Sequence, residues 1–427
     1  MIRRIAWPLA PVTALLPAGL VLAVTAGMSV EHFGRRPEWP ATSALAHEHL
    51  ALVGPLVAAI AFHRWATLAR PLGLFAAARL GGTGKPEHWA NFTRVWAVCA
   101  VAYTVGLLPI FARTAADATY GGPAAGSILL GYLGLAFAVA IGQFLAAVAP
   151  LPVLTVLVAV LVFLLFQLPQ VVLDAFGAVL PVQWHPLAAN EHETATALLF
   201  RAFALIAIGG AMVLASRLGR SPDRPARTAL PALGAVAVLA VFLVVAAVNP
   251  ATRVTAAADP PRRCQPVEGV EVCVHPAHDA DLPDLTATVA ALVRAYGRTP
   301  AAVAGVHDAA SLPPGEVPAG RVVVRLLLDQ TTRDTAGEDV STAMAGFAGC
   351  LRGIRVTGDR ATYEAGIARA GELARWLRHQ AGITLPSEAP YQPPTTGFFA
   401  KPPDEIRAWL AANDDNVAQC RYGAEFA

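Results

Sequence analysis

Charge is scarce in this chain: Asp, Glu, Lys and Arg make up 15% of its 427 residues, against about 25% in soluble globular proteins. An ordinary water-soluble enzyme is excluded on that ground alone. Lysine is nearly missing, with Lys85 and Lys401 the only two among 32 basic residues. With so much alanine, that is the coding bias of a GC-rich bacterial genome. Signatures of energy conversion and hydrolysis are missing too. Gly81-Gly82-Thr83-Gly84-Lys85-Pro86 looks like a phosphate loop, but Arg79 stands where a glycine is needed and Pro86 where Ser or Thr would hold magnesium. There is no G-x-S-x-G elbow and no HExxH. No catalytic residue, cofactor or specific metal site is expected, and the chain reads as a non-enzyme.

What is present is apolar. Hydrophobic residues make up 55% of the chain and mean hydropathy is +0.51. Seven stretches have the length or composition to cross a bilayer: Trp7–Met28, His49–Phe62, Val95–Phe111, Ala124–Ala149, Leu151–Leu173, Ala197–Ala215 and Leu230–Val248. The second is short unless it is extended in both directions, and Pro150 and Pro152 divide the fourth from the fifth. The first follows Arg3 and Arg4, has no convincing cleavage site after it, and reads as an uncleaved helix. The expected fold is a polytopic helical membrane domain over residues 1–249, with about seven transmembrane helices, followed by a small α+β extracytoplasmic domain over residues 250–427.

Arginine placement sets the orientation. With the N-terminus inside, the inner segments carry Arg3, Arg4, Arg64, Arg70, Arg79, Lys85, Arg94, Arg217, Arg220, Arg224 and Arg227. The outer loops carry Arg35, Arg36 and Arg113. An odd number of spans then exports residues 250–427. The first 249 residues hold fifteen Lys/Arg against nine Asp/Glu, a net +6, and the remainder holds seventeen against twenty-one, a net −4. An acidic soluble part argues against nucleic acid as its partner.

Cys264, Cys273, Cys350 and Cys420 all lie in the part expected outside, and Cys99 lies in the third span. Four cysteines in an oxidising compartment are what disulfides require. The expected pairing is Cys264–Cys273, which brackets one local turn, and Cys350–Cys420. In the same part, Val270–Val274 alternates like a strand and Arg321–Leu328 reads as another. Helices are expected after Asp281 up to Gly297, and over Ser341–Leu351, Thr362–Ala381 and Pro403–Asn413.

Ionisable groups are few within the expected spans, which argues against a self-powered secondary transporter. His47-Glu48-His49 precedes the second span, and His185 and Glu191-His192-Glu193 precede the sixth. Both segments fall on one side, where imidazole and carboxylate groups could assemble around a metal. Interfacial polar caps are the ordinary reading. The inner segment His63–Arg94 is basic and partly amphipathic, suited to lying on the membrane surface, docking a cytoplasmic partner, or only setting topology.

This layout resembles the membrane subunits of ABC-2-type transporters, in particular the divergent permease-like proteins of actinobacteria. The resemblance rests on the inner N-terminus, the span count and the basic segment after the second span. It extends to VEVCVHPAH (Val270–His278) and the later ARWL and RAWL (Ala374–Leu377, Arg407–Leu410). It implies a homo- or heterodimeric permease in the lipid bilayer, driven by a separate ATP-binding subunit that docks on Arg64, Arg70 and Arg79. Such membrane domains usually end inside after six spans, whereas this chain adds a seventh and an exported domain. The alternative is a membrane-anchored extracytoplasmic binding or scaffold protein.

Overall fold

A computed structural model of the chain describes residues 11–34, 36–79, 85–171, 174–182, 187–218, 226–248, 253–315, 320–326, 331–357, 360–385 and 395–422. It divides into two compact units, Met1–Thr255 and Ala256–Ala427.

The first unit is helical: α1 (Pro11–Glu31), α2 (Trp39–Glu48), α3 (Leu50–Arg79), α4 (Lys85–Asp117), α5 (Ala125–Val148), α6 (Thr155–Val171), the short α7 (Asp174–Val179), α8 (Ala195–Leu218) and α9 (Ala226–Val248). Two short strands, β1 (Glu191–Glu193) and β2 (Val254–Ala256), pair with each other. Helix is what an apolar run must adopt in lipid, because it satisfies every backbone polar group internally. Among the described residues five stretches are long and apolar enough to cross a membrane: Leu15–Gly34, Trp39–Thr67, Trp89–Asp117, Ala125–Val148 and Ala195–Ser216. Pro152–Gln167 and Val236–Val248 are apolar but shorter. Large apolar side chains stand exposed on α6 (Val156, Leu157, Val160, Leu161, Leu164) and on α9 (Leu233, Val236, Val241, Val244). In a helical unit of this composition, those faces suit lipid rather than water.

The second of these stretches is extended in both directions beyond His49–Phe62. It begins at Trp39 rather than His49, because α2 and α3 follow one another through His49, whose backbone is itself helical. Pro40 opens α2 in the first turn, where its missing N–H costs nothing. The polar triad His47-Glu48-His49 therefore sits inside a candidate span instead of ahead of it.

Helix α5 is central, packing on α2, α3 and α8. Glycines permit the approach: a Cβ at Gly131 would run into the Ala46 carbonyl, and one at Gly142 into that of Ala58. Small residues at such crossings are the usual means of close helix packing in membranes.

The second unit holds a four-stranded sheet in the order β3 (Arg263–Val267), β4 (Val270–Val274), β5 (Gly305–Asp308) and β6 (Arg321–Val324). β3 and β4 form an antiparallel hairpin. Its two turn residues, Glu268 and Gly269, both take positive φ, 49° and 80°, as a twisted two-residue hairpin turn requires. β4, β5 and β6 are parallel, and helix α10 (Leu282–Tyr296) makes the β4–β5 crossover. This mixed sheet departs from a simple segregated α+β layout. Helices α11 (Thr332–Met344), α12 (Phe347–Thr357), α13 (Arg360–Gln380) and α14 (Pro403–Ala418) complete the unit. The core joins Val272, Val274, Val306 and Val324 of the sheet to Leu285 and Leu292 of α10 and to Leu373, Trp376 and Leu377 of α13.

β6 stops at Val324, short of the expected Leu328, and residues 327–330 lie outside the described residues. The helix expected over Ser341–Leu351 is two helices, parted at Gly346, whose φ is 70°. Cys264 pairs with Cys273 and Cys350 with Cys420, while Cys99 is free and buried. The first bridge joins directly opposed residues of the hairpin. The second closes a separation of 70 residues, tying α12 to the end of α14. Loop-closure entropy assigns the longer bridge about 4 kcal/mol and the nine-residue one about 2.5 kcal/mol. Replacing Cys350 and Cys420 together by Ala is therefore expected to destabilise the second unit more than replacing Cys264 and Cys273. Denaturant unfolding of the two double variants, followed by proteolytic cleavage within residues 256–427, checks the order.

Candidate functional site

Strand alternation selects the residue at the centre of the site. In β1, His192 is exposed while Glu193 is buried, because successive side chains of a strand point to opposite faces. Pairing with β2 and the bond from Thr194 N–H to the Arg253 carbonyl, 3.0 Å, hold the strand in place. The Glu193 carboxylate then receives three groups. The Ser127 hydroxyl, from the first turn of α5, donates to Oε2. Arg201, on α8, donates to Oε1 at 3.2 Å and to the Gly177 carbonyl at 2.8 Å. His47 Nε2, from α2, lies 3.3 Å from Oε2, and His47 Nδ1 lies 3.2 Å from the Pro181 carbonyl. Burial alone would raise the Glu193 carboxyl. The neighbouring His47, Arg201 and Ser127 outweigh it and hold the group down at about 2.

A second pair lies one residue along the chain. His32, at the end of the first candidate span, places Nε2 3.5 Å from Glu48 and Nδ1 2.7 Å from the Met28 carbonyl. Its ring meets that of His49 edge-on, centroids 5.6 Å apart. His49 is fully buried and neither ring nitrogen has a hydrogen-bond partner. Hydrogen bonds pin the surrounding backbone: Tyr103 to the Ala46 carbonyl at 2.9 Å, Thr42 with Thr114 at 2.8 Å, and Ala124 N–H to Ser43 at 3.0 Å.

The two acidic–imidazole segments singled out in the sequence are thus brought together at His47 and Glu193. They form an ion network rather than the metal site considered there. Arg201 takes one carboxylate oxygen, and His192 points away into the open; His185 lies outside the described residues. Among the described residues, the one group of three with metal-ligand spacing is Cys264, Glu271 and Cys273. Its two sulfurs are joined to each other.

In the second unit, His275 and His278 follow β4, and Asp308 ends β5. Asp308 accepts from the His275 and Ala310 backbone N–H groups, each at 3.2 Å, and contacts the His278 ring. His275 Nδ1 caps the following turn by accepting from Ala277 N–H. This interlocked turn makes His275-Pro276-Ala277-His278 the loop that closes strand β4.

Of the basic residues considered for partner docking, Arg64 is half-buried on α3 and donates from Nε to the Asn91 side chain of α4 at 2.9 Å. Arg70 and Arg79 lie further along α3, with side chains outside the described part. Ser127, His32 and the Pro181 carbonyl were not singled out from sequence. No protein-family model, curated protein or solved structure matches the chain.

Removing one partner of a buried ion pair leaves the other charge uncompensated, a loss of about 3–5 kcal/mol. Arg201→Met is therefore expected to lower the melting temperature of the detergent-solubilised chain sharply, while Glu191→Gln, at a half-buried neighbouring position, leaves it nearly unchanged. Because the folded Glu193 carboxyl is depressed, its stabilising contribution is present above the ordinary value of 4.5 and lost as pH falls toward about 2. The melting difference between the chain and Glu193→Gln should shrink over that window.

Proposed function

We propose that the chain is the membrane subunit of an ABC-type transporter, driven by a separate ATP-binding subunit, with its N-terminus inside and residues 256–427 outside the cell. The observation that carries this reading is the pair α3 and α4. At 30 and 33 residues they are about 45 and 50 Å long, against a hydrocarbon core of about 30 Å. Two helices of that length extend past the bilayer, and the end where they connect holds Arg70, Arg79 and Lys85. The Arg64–Asn91 bond ties them together near that end. A stiff, basic helical pair is a fitting platform for a cytoplasmic ATPase, whereas a flexible loop would lose entropy on docking. The preponderance of arginine on that side supports the orientation, and the two disulfides suit an oxidising exterior. The substrate moves outward by alternating access coupled to closure of the ATPase.

The disulfide-tied second unit, with a core of its own, favours one other reading: a membrane-anchored binding or scaffold protein facing the envelope. Purification from native membranes in mild detergent separates the two. A co-eluting ATPase in fixed stoichiometry is expected for the permease. Reversing Arg70 and Arg79 to Glu should abolish that association without affecting membrane insertion, and Arg36→Glu should leave it intact. Recovery of envelope proteins alone would favour the scaffold.

A further inference from the structure

Two histidines of the first unit each lie between a backbone carbonyl and a carboxylate. The Pro181 carbonyl only accepts, so His47 Nδ1, 3.2 Å away, carries a hydrogen. In a neutral ring the other nitrogen, Nε2, would then present a bare lone pair to the Glu193 carboxylate at 3.3 Å. Two acceptors facing each other in a buried site repel. A proton on His47 Nε2 removes the conflict, making His47 an imidazolium beside the ionised Glu193. The same construction occurs at His32: Nδ1 faces the Met28 carbonyl at 2.7 Å, and Nε2 faces the Glu48 carboxylate at 3.5 Å. Each pair thus has a carbonyl that fixes the tautomer and a carboxylate that calls for one more proton.

We propose that the His47–Glu193 and His32–Glu48 pairs form a proton-binding site of the membrane unit, with the unpartnered His49 as the neighbouring acceptor. Both gaps exceed the roughly 2.7–2.9 Å of a tight charge-assisted bond, which suits a proton that leaves and returns. His49 supplies the independent sign. A fully buried imidazole with two unsatisfied nitrogens, edge-on to His32, is unfavourable unless something visits it. Among the described residues, the charged and titratable groups facing the site include Arg201 and the nearby Arg253, Glu193, Glu48 and the Tyr103 hydroxyl on the Ala46 carbonyl. Chains of imidazole and carboxylate are a usual form of a proton relay in membrane proteins. The inference does not depend on an ATPase partner.

The test is nitrogen NMR of the full chain in lipid nanodiscs with isotope-labelled histidine, assigned through His32→Gln, His47→Gln and His49→Gln. At neutral pH, His32 and His47 are expected with both ring nitrogens protonated, and His49 is expected neutral. The Nε2 protons of His32 and His47 should exchange with solvent as pH is varied between about 5 and 8. Glu193→Gln should return His47 to the neutral form protonated at Nδ1, and Glu48→Gln should do the same to His32. Glu48 is only partly buried, so its variant keeps the test decisive if Glu193→Gln fails to fold. Neutral His32 and His47 in the unaltered chain, insensitive to both substitutions, would overturn the proposal. So would imidazolium signals that never change or exchange, the mark of fixed ion pairs.

Discussion

The Glu193 carboxylate is the constraint around which the membrane unit is arranged. It takes a hydroxyl from α5, a guanidinium from α8 and an imidazole from α2, while sitting on a strand held by β2. Desolvating two such ions costs several kcal/mol each, and their mutual attraction offsets this only when geometry is good and the remaining lone pairs are occupied. Here the second terminal Arg201 nitrogen reaches the Gly177 carbonyl and both carboxylate oxygens have partners, while Arg201 Nε is buried without one. What the network contributes beyond stability is position. Apolar helices in lipid slide past one another at little cost, since tails are as apolar as leucine. A shared carboxylate that accepts from a hydroxyl and a guanidinium, with an imidazole beside it, favours one register.

That register depends in turn on glycine. Ser127 and Gly131 stand one turn apart on α5. Gly131 lets the helix close on the Ala46 carbonyl, one residue before His47. Any side chain at Gly131 would push α2 away and lengthen the His47–Glu193 gap. Tyr103 grips the same carbonyl from α4, so a single backbone oxygen fixes α2 against two neighbours. Sequence, helix approach and site geometry are linked here by contacts of atomic size.

Much of this was legible in the sequence, and the rest was hidden for identifiable reasons. The cysteine pairing followed from the local turn between Cys264 and Cys273, and the two acidic–imidazole segments stood out as polar interruptions. Strand β5 did not stand out, because GVHD is four residues long and buried on both faces, leaving no alternation to read. Strand β3 is exposed along most of its length and contains Pro266, which breaks the pattern. In the membrane unit, Ser127 is lost within an apolar run, and the Pro181, Met28 and Gly177 carbonyls have no side-chain signature. How far the second apolar stretch extends was hidden because His47-Glu48-His49 interrupts the hydropathy, so the triad falls ahead of the apolar run. Pro40 marked the true start.

Helix geometry explains why three consecutive polar residues serve here as one device. Successive residues turn by about 100°, so His47 faces a different neighbour from Glu48 and His49, which both reach His32. His47 meets β1, Glu48 meets the end of α1, and His49 is left in the interior beside His32. A motif that looks redundant in sequence therefore addresses separate directions, joining α1 to β1 through the last turn of α2. Had the three been spaced by four residues, they would line one face and form a stripe. Adjacent placement instead makes them a junction. A change of charge at one member then reaches helices that the others hold.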